Sequence, residues 1–151
     1  MYKKILVPSN LGESSLAAIR AGVELARKFS AEICLLNIRP EFMSKEEMEM
    51  LRVSVQTFVK EEKGIAVNAK AVLAEMLKRS GGGDLAHKII LREGNPQDEI
   101  LATATELGCD LIIITTTGRD HLREHLHGSD AEQLVRDARV PVLVIPVAPK
   151  E

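Results

Sequence analysis

The sequence predicts an α/β fold, with five strands in one open parallel sheet and helices on both faces. Two observations predict it. Short apolar runs alternate along the chain with longer stretches of helical spacing, and several of those stretches carry start and stop signals at their ends. Strands that alternate with helices are joined by right-handed crossovers, which restricts the topology severely. In such a sheet a ligand sits beyond the C-terminal strand ends, where the strand order reverses.

The elements follow in order. Ile5-Leu-Val7 is a short apolar run, the first strand. Glu13 to Phe29 is helical, with Leu16, Ile19, Val23 and Ala26 on one face and charges opposite. Ile33-Cys-Leu-Leu-Asn-Ile38 is the second strand, ended by Arg39-Pro40. Ser44 and Glu47 have capping-box spacing and open a helix striped by Met48, Leu51, Val55, Phe58 and Val59. Gly64 is expected to break that helix, with a second piece from about Asn68 to Arg79 stopped by Ser80-Gly-Gly-Gly83. Ala86 to Leu91 is the third strand. Asn95-Pro96-Gln97-Asp98 supplies a cap, a proline at the first helical position and an acidic first turn; that helix runs to Leu107 and closes at Gly108. Leu111 to Thr115 is the fourth strand. Gly128-Ser129 opens a last helix through about Ala138, and Val140 to Val147 is the fifth strand.

With 151 residues and no internal repeat, the chain is expected to be one domain, residues 1–151. Net charge is −2, so no field favours nucleic acid or a membrane surface. The only aromatics are Tyr2, Phe29, Phe42 and Phe58, which argues against stacking of single-stranded bases. No apolar run reaches the length of a membrane span, and the one near the N-terminus is too short for a signal peptide. A cytoplasmic location is expected. Cys34 and Cys109 fall in or beside strands, far apart in sequence. They are expected to be reduced core thiols rather than a disulfide, and no CxxC spacing supports a metal.

The segment from Leu111 to Ser129 carries the chemistry. A strand runs into Gly118, then a loop, then Gly128-Ser129 at a helix start. Unpaired N–H groups of a loop and first helical turn, with the helix dipole behind them, form an anion site. Glycine at both ends lets the main chain approach a phosphate.

Four segments and one spacing stand out together: Tyr2-Lys-Lys-Ile-Leu-Val-Pro-Ser-Asn10, Gly12-Glu-Ser-Ser15, Gly94-Asn-Pro96 with Ile100, Val140-Pro-Val-Leu-Val-Ile-Pro146, and Gly118, nine residues, then Gly128-Ser129. By these the chain resembles the universal stress protein family over essentially its full length, and the Gly118 to Ser129 spacing matches the second part of that family's nucleotide motif. The resemblance implies an adenine-nucleotide alpha hydrolase-like sheet of strand order 3-2-1-4-5. It also implies a dimeric module that binds ATP, or AMP or ADP, in stress signalling, with Mg or Mn accompanying a triphosphate. By position, Gly118, Gly128 and Ser129 would hold phosphates, and Pro8, Ser9 and Asn10 would line the nucleoside. Ile38 would meet adenine with its main chain, and Arg119 would neutralise phosphate charge.

Three residues qualify that reading. Thr115 stands where the motif has its first glycine, and its Cβ crowds the site. Asn10 stands where ATP-binding members often carry an acid; it can hydrogen-bond a ribose or adenine edge but is a poor metal ligand. Asp130 favours the empty helix dipole and repels a triphosphate. Plainer roles are open too: Gly118 and Gly128 shaping a tight loop, Ser129 as an N-cap, Asn10 making a turn. The other reading within the family is a member that has lost nucleotide and acts through protein contacts. No residue is a poised catalytic base, so any hydrolysis is expected to be slow.

Two patterns point elsewhere. His121-Leu-Arg-Glu124-His125, with His127, fits an inverted zinc-peptidase pattern, but it lies between loop glycines rather than on a stable helix. Ser80-Gly-Gly-Gly-Asp84 has the look of a pyrophosphate loop, yet it follows a helix rather than the first strand, so a helix-to-strand connection is expected. In the fifth strand, Val142-Leu143-Val144-Ile145 is apolar on both sides between prolines, which is odd for an edge facing water. The resemblance implies that it pairs with its copy, so a homodimer through this strand is expected.

Overall fold

The computed structural model describes residues 1–39, 50, 55–116 and 128–147, and for 55–66 and 128–130 the backbone alone. The central strand is β1, Lys4–Pro8. A 3-10 turn at Glu13–Ser15 leads into α1, Leu16–Phe29. Then come β2, Glu32–Arg39; α2, Val55–Arg79; β3, His87–Glu93; and α3, Pro96–Leu107. The chain continues through β4, Leu111–Thr115; α4, Gly128–Asp137; and β5, Val142–Ile145. All four pairings are parallel, and the order is β3-β2-β1-β4-β5.

That order sorts the helices. Right-handed crossovers moving from β1 to β3 put α1 and α2 on one face; the chain then crosses back, and α3 and α4 cover the other. The period of two along each strand splits the side chains accordingly. Ile5, Val7, Ile33, Leu35, Leu111 and Ile113 join Ile19, Leu73 and Leu77 in one buried cluster. Leu6, Cys34, Leu36, Ile112 and Ile114 join Ile100 and Leu134 in the other. Each large aliphatic side chain so buried contributes about 1.5–3 kcal/mol. The three inner strands are therefore apolar on consecutive residues, as a sheet covered on both faces demands.

Close approach is enforced at Gly22 in α1. A Cβ there would stand 2.9 Å from Ile33 Cδ1 and 3.1 Å from Val7 Cγ2. At the start of the sheet, Asp110 accepts the N–H groups of Lys3 and Lys4 at 2.9–3.1 Å and ties β1 to the turn before β4.

Most sequence expectations stand, with adjusted ends. The Asn95 side chain accepts from Asp98 N–H at 3.1 Å, and Gly108 closes α3 with φ of 69°. β3 runs two residues past Leu91, because Gly94 N–H still bonds Arg39 C=O at 2.8 Å. β5 is shorter than Val140 to Val147, since Pro141 offers no N–H to the ladder. The break at Gly64 is wrong. Helix α2 passes through it without interruption. A glycine inside a helix costs only about 1 kcal/mol against alanine, and the buried stripe Ala69, Leu73, Met76 and Leu77 holds the helix to the sheet. The capping box at Ser44 lies outside the described residues.

Candidate functional site

The sheet order reverses between β1 and β4, and there the ladder opens. β1 pairs with β2 through Pro8↔Leu36 but with β4 only through Leu6↔Ile112. Past Leu6 the two strands part, leaving a crevice at their C-terminal ends. This is the switch point at which open α/β sheets take ligands.

One wall is the turn after β1, and it is tightly self-bonded. Ser9 N–H donates to Leu36 C=O at 2.8 Å, extending the β1–β2 ladder by one rung. The Ser9 and Ser15 hydroxyls share a hydrogen bond of 2.7 Å, and Ser15 Oγ also donates to Gly12 C=O at 2.8 Å. Leu11 N–H donates to Ser9 Oγ at 3.0 Å, and Gly12 N–H to Asn10 Oδ1 at 2.8 Å. The turn twists Leu11 to φ of 71°, a conformation that costs a non-glycine residue about 1–2 kcal/mol. Asn10 thus makes the local turn. Since the amides of residues 11 and 12 are already bonded, this turn is not an anion receptor.

The second wall is the end of β2. Leu36 C=O bonds toward β1, whereas Arg39 C=O bonds toward β3. In a parallel ladder the bonding direction alternates by residue, so Ile38 is in phase with Leu36. Its N–H and C=O therefore point into the crevice, past the last β1 rung, while its side chain is buried in the second cluster. That edge offers one donor and one acceptor in a fixed line, the pattern that the edge of an adenine ring matches.

The third wall is β4. Thr116 N–H bonds Ile145 C=O at 3.0 Å toward β5, and Thr116 Oγ1 accepts Val147 N–H at 3.2 Å. Thr115, half-buried and one residue out of phase, has its main chain on the β1 side, so its backbone lines the opening. Gly128 is the first residue of α4, with Ser129 and Asp130 in its first turn. Gly118, Arg119 and the histidines at 121, 125 and 127 lie outside the described residues.

The structure therefore brings Pro8, Ser9, Asn10, Ile38 and Thr115 to one crevice. Sequence reasoning missed Asn37. Its buried side chain donates from Nδ2 to Ser9 C=O at 3.0 Å and fixes the end of β1 against β2. The signal was present: Asn37 is the one polar side chain in the run Ile33 to Ile38. Ser80 to Asp84 is a helix-to-strand connection as expected. Arg27 grips the Asp84 carboxylate with both terminal nitrogens, at 2.6 and 3.1 Å. That guanidinium holds the Asp84 carboxyl below the usual carboxylate range. Among the described residues, no helix is long and apolar enough to cross a membrane, and no group of three metal-ligating side chains converges.

A parallel five-stranded sheet with an open switch point defines a class of α/β ligand-binding proteins. The Universal stress protein family matches residues 1–146, and the chain belongs to that family. Universal stress protein MJ0531 of Methanocaldococcus jannaschii is 32% identical over 100% of this chain and 86% of its own. The solved structure of MJ0577 from the same organism superposes with a TM-score of 0.75 at 25% identity, covering 99% of each chain. Two further universal stress proteins share the fold. One, in complex with cAMP, has a TM-score of 0.69 at 20% identity and covers 97% of this chain and 98% of its own. The other, from Archaeoglobus fulgidus in complex with dAMP, has a TM-score of 0.62 at 19% identity and covers 95% and 98%.

Proposed function

We propose that this protein is an adenine-nucleotide-binding module, with ATP as its ligand, that acts as a homodimer in stress signalling. The observation that carries the reading is the parted β1–β4 ladder with the main-chain edge of Ile38 turned into it. The edge of Ile38 suits the base, and the Ser9–Asn10 turn flanks the sugar. The α4 N-terminus, with Gly128 and Ser129, offers helix-dipole potential to the phosphates. The solved universal stress proteins bound to cAMP and dAMP support the assignment, because both ligands combine adenine with a phosphate.

Asn10 fits poorly as a metal ligand: it is a neutral amide, and its Oδ1 is held by Gly12 N–H. A divalent ion entering with ATP would rely on phosphate oxygens for charge. No described crevice residue is a strong base, so the module binds and at most hydrolyses slowly. The dimer contact in this reading is β5, which is the last strand of the sheet among the described residues and carries Val142, Leu143, Val144 and Ile145.

The test is direct. Heating purified protein should release an adenine nucleotide identifiable by mass, and Mg-ATP should raise the melting midpoint. Gly128→Val should abolish that rise with little change in the unliganded midpoint. A protein that releases nothing and shows no shift with Mg-ATP is the other kind of member, one that works by protein contact alone.

A further inference from the structure

We propose that the cleft between α3 and the connection from α4 to β5 is a second small-molecule site, and that its ligand is a free L-amino acid with an aliphatic or thioether side chain. The cleft holds about 440 Å³, a volume ordinary for a small-ligand site. It opens at the N-terminal end of the strands, where the turn at Gly108 and Cys109 enters β4. The nucleotide crevice is at the C-terminal end of the same sheet, so the two sites are separate and this inference does not rest on the nucleotide reading.

The lining sorts into an apolar floor and a charged rim. Leu101 and Ala104 of α3, Ile112 of β4 and Val140 form the floor. A side chain of a few carbons laid there leaves water, and each buried methylene adds to affinity. The rim carries one anion, Asp137, and one cation, Arg139. Only Ala138 separates them along the chain, yet among the described residues no ion pair joins the two or engages Arg139. Gln97 Nε2 and Gln133 Nε2 both donate to Asp137 Oδ2 at 3.0 Å and hold the carboxylate in place. Those amides are neutral, so its charge is not cancelled.

The signs of these charges select the ligand. Helix α3 ends at Leu107 and α4 at Asp137, so two helix C-termini converge on the cleft and favour a cation there. Lys4 Nζ already meets the Leu107 carbonyl at 3.1 Å, which leaves the α4 end and Asp137 as the seat for an ammonium. Arg139 is the one cation among the lining residues, and its planar fork suits a carboxylate. A purely anionic ligand would be repelled by Asp137, and a purely cationic one by Arg139. A free amino acid answers both charges from one carbon and still has a side chain for the floor.

The experiment titrates L-leucine and L-methionine into the intact chain by calorimetry, with melting midpoints measured alongside. Two leucine analogues each lack one charge: isocaproate has no ammonium, and isoamylamine has no carboxylate. The expected result is saturable binding of leucine or methionine with a raised midpoint, and binding at least about tenfold weaker for both analogues, since each forfeits one charge-assisted contact. Glycine, with no side chain for the floor, should not bind. Arg139→Gln should weaken leucine to the level of isoamylamine, and Thr105→Phe, which puts a ring on the cleft wall, should abolish binding. Both positions are exposed, so the unliganded midpoints should stay as they are. The proposal is overturned if neither amino acid binds at millimolar concentration, if either analogue binds as tightly as leucine, or if leucine affinity is unchanged in Arg139→Gln or Thr105→Phe.

Discussion

Replacing Asn37 with alanine tests how the crevice is built. The side chain is buried, and its Nδ2 donates to Ser9 C=O at 3.0 Å. Removing the donor leaves that carbonyl unpaired in a site closed to water, a loss of about 1–3 kcal/mol. For a domain of this size, each kcal/mol moves the melting midpoint by about 2–4 °C, so a loss of ~2 kcal/mol lowers it by about 4–8 °C. Urea titration and calorimetry measure this directly. Because Ser9 also holds Ser15 and the amide of Leu11, the whole turn after β1 loosens. Adenine-nucleotide affinity, measured by isothermal titration, should fall together with stability. Asn37→Asp provides the companion measurement. Its carboxylate faces a carbonyl oxygen and is disfavoured in the folded state, which raises the pKa of the introduced group. Stability is then greatest below the ordinary carboxylate range and is lost as pH rises through the raised value. A stability change below about 0.5 kcal/mol for Asn37→Ala would refute the reasoning, since that is the scale of an ordinary surface substitution.

Three further outcomes follow from the packing and the charges. Gly22→Ala pushes a Cβ to 2.9 Å from Ile33 Cδ1, and overpacking of about 1–3 kcal/mol exceeds the ~1 kcal/mol gained in helix propensity; a melting midpoint that rises would contradict this. The Arg27–Asp84 pair lowers the folded carboxyl pKa, so its contribution is present above the ordinary carboxylate value and is lost as pH falls through the depressed one. Asp84→Asn should therefore flatten the acid limb of a stability–pH curve, and an unchanged limb would count against the pair. Val144→Lys puts a charge on the edge strand and should shift a dimer toward monomer in light scattering, whereas a monomer already at micromolar concentration removes the dimer itself.

Much of the fold was legible because it is written in local and periodic signals. The run Ile5 to Val7 needs no tertiary information to be read as a doubly covered strand, and Asn95-Pro96 marks a helix start by its own chemistry. Gly64 misled because propensity is a weak prior, and a buried stripe elsewhere on α2 outweighs one glycine. At the candidate site, Ser9 and Asn10 were placed at the crevice by their position at a strand end, and Ile38 by the family resemblance. Asn37 was passed over because its partner, the Ser9 carbonyl, is a main-chain atom on another strand, invisible to any motif.

The sequence by itself determined where the five strands and most of the helices lie, though not every boundary, since period and capping are properties of neighbours along the chain. It also determined that the first four strands run into polar or turn-forming residues, such as Ser9-Asn10 and Gly94-Asn95. Only the tertiary structure decided that the β1–β4 ladder stops short while β1–β2 continues, because hydrogen-bond register belongs to two segments at once.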